Sequence, residues 1–174
     1  MNVKPSIYIL FLISIGCVNT MYDIDSAYSE STLRDYANNI ELNYYLEGNL
    51  EFKLIALEME TFSTPTAQNV FSKGIKVFVY NQDLDTIVTI SSDFAIENKD
   101  DQLVQVKKNV ILINSNQEQL NTENLFWDRE TKTIYTNDFV TINTDNEIIM
   151  GYGFVTDQHF STYSLSNITG TIYL

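Results

Sequence analysis

Between Leu120 and Asp157 apolar residues recur two positions apart, and short polar turns interrupt them about every ten residues. Leu125 and Trp127 form one such pair, and Val140 and Ile142 another. Ile134 opens a run between them, and Ile148 leads a fourth run into Gly151 and Gly153. A spacing of two puts alternate side chains on one face, as a strand with one buried side requires. Asp128-Arg129-Glu130, Thr136-Asn137-Asp138 and Asn143 to Asn146 are the interruptions, rich in residues that tolerate left-handed backbone and bond their own chain. Repeated short strands with no helical period predict an all-β architecture.

The same pattern extends upstream. Ile40, Leu42 and Tyr44 alternate into Glu47-Gly48-Asn49, and Leu50, Phe52 and Leu54 alternate out of it, which predicts a hairpin. Pro65 interrupts the run that follows, because proline cannot donate to a ladder. Ile75, Val77 and Val79 then share one parity before the turn Asn81-Gln82-Asp83, and Thr86 to Ile90 is the next strand. A shift of thirty positions places Ala95 on Leu125, Val104 on Ile134, Val110 on Val140 and Leu112 on Ile142, and a weaker third copy places Val155 on Leu125. Units that cannot bury an apolar face alone stack on their neighbours, so the repeat predicts an elongated sheet more than a compact closed barrel.

The first residues have another character. Lys4 precedes the apolar run Ile7 to Ile15, which is shorter than the roughly 20 residues a spanning helix needs. With Gly16 directly before Cys17, the run fits a secretory signal, and Ile13-Ser14-Ile15-Gly16-Cys17 resembles a bacterial lipobox with Ser14 in place of leucine. The expected organisation is a lipoprotein signal peptide over 1–16, a lipidated N-terminus and flexible tether over 17–38, and one β-domain over 39–174. Lipidation at Cys17 would supply the membrane anchor.

Charge and missing chemistry narrow the function. The formal net charge is −13, from 23 acidic and 10 basic residues, which argues against binding nucleic acid or an anionic lipid surface. Cys17 is the only cysteine and His159 the only histidine. No Gly-x-Ser-x-Gly elbow accompanies His159, zinc lacks its usual ligands, and Gly151-Tyr152-Gly153 lacks the third glycine of a phosphate loop. No catalytic residue, metal or cofactor is therefore expected. A β-structure with a long apolar face points instead to binding something apolar.

Several of these stretches together resemble a known family. Leu50-Glu51-Phe52-Lys53-Leu54-x-Ala56, Gly74-Ile75-Lys76-Val77-x-Val79-Tyr80, Ser92-x-x-Ala95, Leu120-x-Thr122-Glu123-x-Leu125-x-Trp127-Asp128 and Gly151-x-Gly153-Phe154-x-x-Asp157 stand in one order. That ordered set, closing on Phe160-x-x-Tyr163-x-Leu165, is similar to LptC and its OstA-like relatives over roughly Asn39 to the C-terminus. The resemblance implies an open, twisted antiparallel β-jellyroll with an apolar groove. Its cargo would be the acyl chains of lipopolysaccharide, passed in the periplasm from an inner-membrane ABC transporter to a periplasmic bridge protein of the same fold. The residues of inward parity expected to line the groove are Val77, Val79, Ala95, Val104, Val110, Leu112, Leu125, Ile134, Val140, Ile142 and Val155. Lys73, Lys76, Lys107 and Lys108 are candidates to meet lipid phosphates at its mouth. Gly151, Gly153, Phe154, Gly170 and Ile172 are expected at the partner edge. The alternative is a structural or adhesion lipoprotein with a closed β-sandwich and no lipid transport.

Overall fold

The computed structural model describes residues 34–63 and 66–174. The expected signal, Cys17, the tether as far as Leu33, and Pro65 lie outside the described residues. Among the described residues there are eleven strands: β1 Arg34–Leu46, β2 Asn49–Phe62, β3 Gln68–Phe71, β4 Ile75–Tyr80, β5 Thr86–Ser92, β6 Phe94–Asn98, β7 Leu103–Asn114, β8 Gln119–Asp128, β9 Thr133–Asn143, β10 Glu147–Asp157 and β11 Tyr163–Tyr173. All pair antiparallel in one sheet, consistent with a β-jellyroll. β1 begins inside the stretch read as tether, so residues 34–38 belong to the sheet.

Two long strands organise the sheet. β2 pairs with β4 along Phe52 to Ala56 and with β3 along Glu60 to Phe62. β7 pairs with β6 along Leu103 to Lys107 and with β5 along Ile111 to Asn114. With the β4–β5 and β3–β6 pairings, these close a ring in the middle of a sheet whose ends stay open. The expectation of an elongated sheet therefore holds only outside that ring. From β7 the sheet runs on through β8, β9 and β10 to β11, and β1 extends it beyond β2.

The chain changes direction where residues allow it. Glu47 and Gly48 both take positive φ, at 51° and 87°, the geometry of a tight hairpin turn whose twist matches its strands. Gly74, at φ 77°, lies so close to the Ser92 carbonyl that a Cβ there would collide with backbone. Asn81 accepts hydrogen bonds on Oδ1 from the backbone N–H of Asp83 and Asp85, both at 2.9 Å. Asn114 repeats the device with Asn116 and Glu118, both at 3.0 Å.

Bulges line up across neighbouring strands. Register shifts fall between Lys107 and Val110, between Thr122 and Phe126, and between Tyr152 and Phe154. Each inserts residues that twist the sheet and re-aim the side chains beyond it. Val110 and Val140 stay buried, so the first two copies of the thirty-residue repeat keep one inner face.

Candidate functional site

The interior is built from alternate residues of nearly every strand. Ten of the eleven residues expected to line a groove, all except Val155, are 5% exposed or less and belong to one cluster. The same cluster takes in Phe52, Leu54 and Ala56 of β2 and Val88 and Ile90 of β5, the strands on either side of Val77 and Val79, which the alternation marked as strand but not as lining.

Val155 is a correction: it is 40% exposed. Gly153 takes φ 71° in the β10 bulge, and a Cβ there would meet Ser166. The extra residue flips the parity, so Phe154 and Thr156 face inward. The weak third copy of the repeat fails there for that reason.

The expected partner edge is also corrected. Gly151, Gly153 and Phe154 lie on β10, which is paired on both sides by β9 and β11. Phe154 is 1% exposed, packed edge-on against Phe160 and tilted against Tyr163. Gly170 and Ile172 lie on β11, where the sheet path ends. Among the described residues β1 pairs only with β2, so β1 is the other edge. Both edges present large apolar side chains to solvent: Tyr36, Leu42 and Tyr45 on β1, Ile168, Ile172 and Tyr173 on β11. Long apolar edges with unpaired backbone groups are templates for another strand.

Three of the four lysines proposed for phosphates have neighbours of their own in the fold. Lys73 pairs with Glu58, which lowers the pKa of that carboxyl and raises that of the lysine. Lys76 lies 5.1 Å from the centre of the Phe78 ring, and Lys108 lies 5.9 Å from that of Phe94.

A seam separates the β1–β2 hairpin from the β8–β9 turn, and few contacts close it. Phe52 stacks on Tyr44 at 4.8 Å and meets Trp127 edge-on at 5.0 Å. Lys132 reaches Glu51 across the seam at 3.4 Å, a long and half-exposed ion pair. Arg129 is held by Glu97 at 2.6 Å with its guanidinium 5.8 Å from the Phe52 ring centre. Trp127 is buried with no hydrogen-bond acceptor for its Nε1. Contacts between residues 81 apart in the chain leave no periodic trace, and the alternation could not have announced this seam.

Beside the seam, the β10–β11 turn folds inward. Phe160 is buried at φ 49° and its carbonyl accepts from Asn114 Nδ2 at 3.2 Å. Burial pushes the Asp157 carboxyl up, but the Ser161 hydroxyl and the backbone N–H groups of His159 and Ser161 together leave it lowered. His159 itself is exposed in this turn.

Among the described residues no helix is long and apolar enough to cross a membrane, and no group of three or more His, Cys, Asp or Glu could hold a metal. No curated protein matches the chain. A family model described as lipopolysaccharide-assembly, LptC-related, matches residues 7–173.

Proposed function

The chain belongs to the LptC-related family of lipopolysaccharide-assembly proteins, and from that premise we propose that it carries the acyl chains of lipopolysaccharide through its apolar interior. A role in lipopolysaccharide transport follows from the family; the path through this molecule is the proposal. One observation supports it most: an apolar interior that runs from β2 to β10 inside a sheet with two unpaired ends.

That interior is close-packed, so an acyl chain enters only where the walls part. The seam is the proposed point of entry, because its ion pair is half-exposed and contributes at most about 1 kcal/mol, which leaves the contacts of Trp127 and Arg129 with Phe52 as what parting must break. Each methylene that leaves water for such an interior gains about 0.8 kcal/mol, which offsets the parting of the walls within a few carbons. β1 and β11 would then extend the sheet into neighbouring proteins by strand addition, one toward an inner-membrane ABC transporter and the other toward a periplasmic bridge protein of the same fold. Lipidation of Cys17 would hold the domain at the membrane in the periplasm; incorporation of a radiolabelled fatty acid that disappears in Cys17→Ala is the expected result.

The alternative, a closed sandwich serving structure or adhesion, would share the packed interior. Photo-crosslinking side chains at Leu112, Leu125 and Ile142 separate the two. Adducts with lipopolysaccharide in cells at these positions, and none at exposed Asp138, support transport; silence at all three interior positions sinks it.

A further inference from the structure

Three neighbouring strands leave the ladder side by side. Lys108 and Asn109 of β7 stand opposite no residue of β8, Glu123 of β8 opposite none of β7 or β9, and Asn137 and Asp138 of β9 opposite none of β8 or β10. Residues released from pairing in this way re-aim their side chains. Asn109, Glu123, Asn137 and Asp138 are exposed and line one surface cleft of about 570 Å³, which shares no residue with the seam.

The cleft combines an aromatic pair with unmatched charge. Phe139 and Tyr152 line it while 42% and 44% exposed, and their ring centres stand 5.3 Å apart at 65°. Rings this exposed keep π surface available, and π surface attracts a cation. The carboxyls of Glu123 and Asp138 line the same cleft, and among the described residues neither joins an ion pair or a side-chain hydrogen bond. Among the described residues no lysine or arginine lines it; Lys108, next in the chain to Asn109, lies 5.9 Å from the centre of the Phe94 ring.

That chemistry selects the occupant. A guanidinium both forks onto carboxylates and stacks on aromatic faces, whereas an ammonium acts as a point charge. This chain is a poor source of one. Its first 33 residues carry Asp23, Asp25 and Glu30 against Lys4, and a second copy would bring a net charge of −13. The amides of Asn121 and Asn137, also in the lining, can bond a peptide backbone, which favours a polypeptide over a free cation.

We infer that this cleft docks an arginine side chain carried by an extended segment of a partner protein, with Phe139 and Tyr152 as stacking faces and Glu123 and Asp138 as counter-charges. The site is separate from strand addition at β1 and β11 and stands whether or not the interior carries acyl chains.

The full chain, with para-fluorophenylalanine in place of Phe139, is titrated with the blocked tripeptide Gly-Arg-Gly, with its uncharged citrulline counterpart and with guanidinium chloride, and the fluorine resonance is followed. The arginine peptide shifts it saturably with a Kd of about 1 mM, and the other two bind at least about tenfold more weakly. Glu123→Gln with Asp138→Asn lowers affinity about tenfold, and Tyr152→Leu about threefold. Asp83→Asn with Asp145→Asn removes two exposed carboxyls elsewhere for the same change in net charge and leaves binding unchanged. A resonance that the arginine peptide does not move overturns the site, as does equal weakening by the control pair. Citrulline binding as tightly as arginine overturns the charge assignment, and guanidinium binding as tightly as the peptide overturns the polypeptide partner.

Discussion

The two edge strands of this sheet are both long and both exposed, yet they are attached in different ways. β1 buries Ile40, stacks Tyr44 on Phe52 and is tied to β2 by Arg34 with Glu60 at 3.0 Å and Lys53 with Glu41 at 2.8 Å. Its neighbour β2 is part of the closed ring. β11 has no buried residue, and its neighbour β10 lies three strands beyond β7. Only Tyr163 and Leu165, at its start, pack against the core. β1 is thus tied into the wall of the interior, and β11 is a bare ladder. If both receive strands as proposed, β11 does so with less of its own packing to disturb.

Substitutions can erase or exaggerate that contrast. Ile142→Asp erases it, because a carboxylate at a fully buried site costs more than about 4 kcal/mol and takes both edges with it; loss of the thermal unfolding transition is the readout. Phe160→Ala is expected to cost about 3 kcal/mol by leaving a cavity beneath Phe154 and Tyr163, with the melting point lowered and the start of β11 loosened first. Gly151→Val exaggerates the contrast. A Cβ there lies 2.5 Å from the Asn167 carbonyl oxygen and 2.8 Å from Leu165, so β11 should detach for about 2 kcal/mol. Hydrogen exchange then quickens across Tyr163–Tyr173 and stays unchanged across Arg34–Leu46.

A smaller effect is pH-dependent. The Asp157 carboxyl is lowered in the folded chain from the ordinary 3.8. Its contribution is complete above that ordinary value and is lost as pH falls through the lowered one, so acid loosens the β10–β11 turn only below about pH 4. Asp157→Asn should flatten that part of the acid-unfolding curve. The smallest change is expected from Lys132→Ala, which removes a half-exposed ion pair worth less than about 0.5 kcal/mol, leaves the melting point nearly fixed and eases opening of the seam.

Much of this molecule was legible in its sequence because strand alternation is local. Ten inward residues and the hairpin turn at Glu47-Gly48 could be read that way. Val155 could not, since a single left-handed Gly153 reverses the parity and the sequence does not say which glycine is a bulge. The edge was misplaced for a related reason: Gly151 and Phe154 look terminal in the repeat, but β11 follows and pairs with them. β1 was read as starting too late because Arg34 to Asn38 has no apolar alternation; nearly every side chain there is exposed on an edge strand. The seam and its cavities join residues from the β1–β2, β4–β5, β7–β8 and β10–β11 turns, a convergence that only the folded chain displays.

The central claim is that cargo enters by parting the β1–β2 wall from the β8–β9 turn. Spin labels at Leu46 and Glu130, both exposed beside the seam, measure that separation directly. Lipopolysaccharide should lengthen the distance, while a control pair within the ring, Thr86 and Lys76, stays fixed. A Leu46–Glu130 distance that is unchanged with lipopolysaccharide bound would contradict the account.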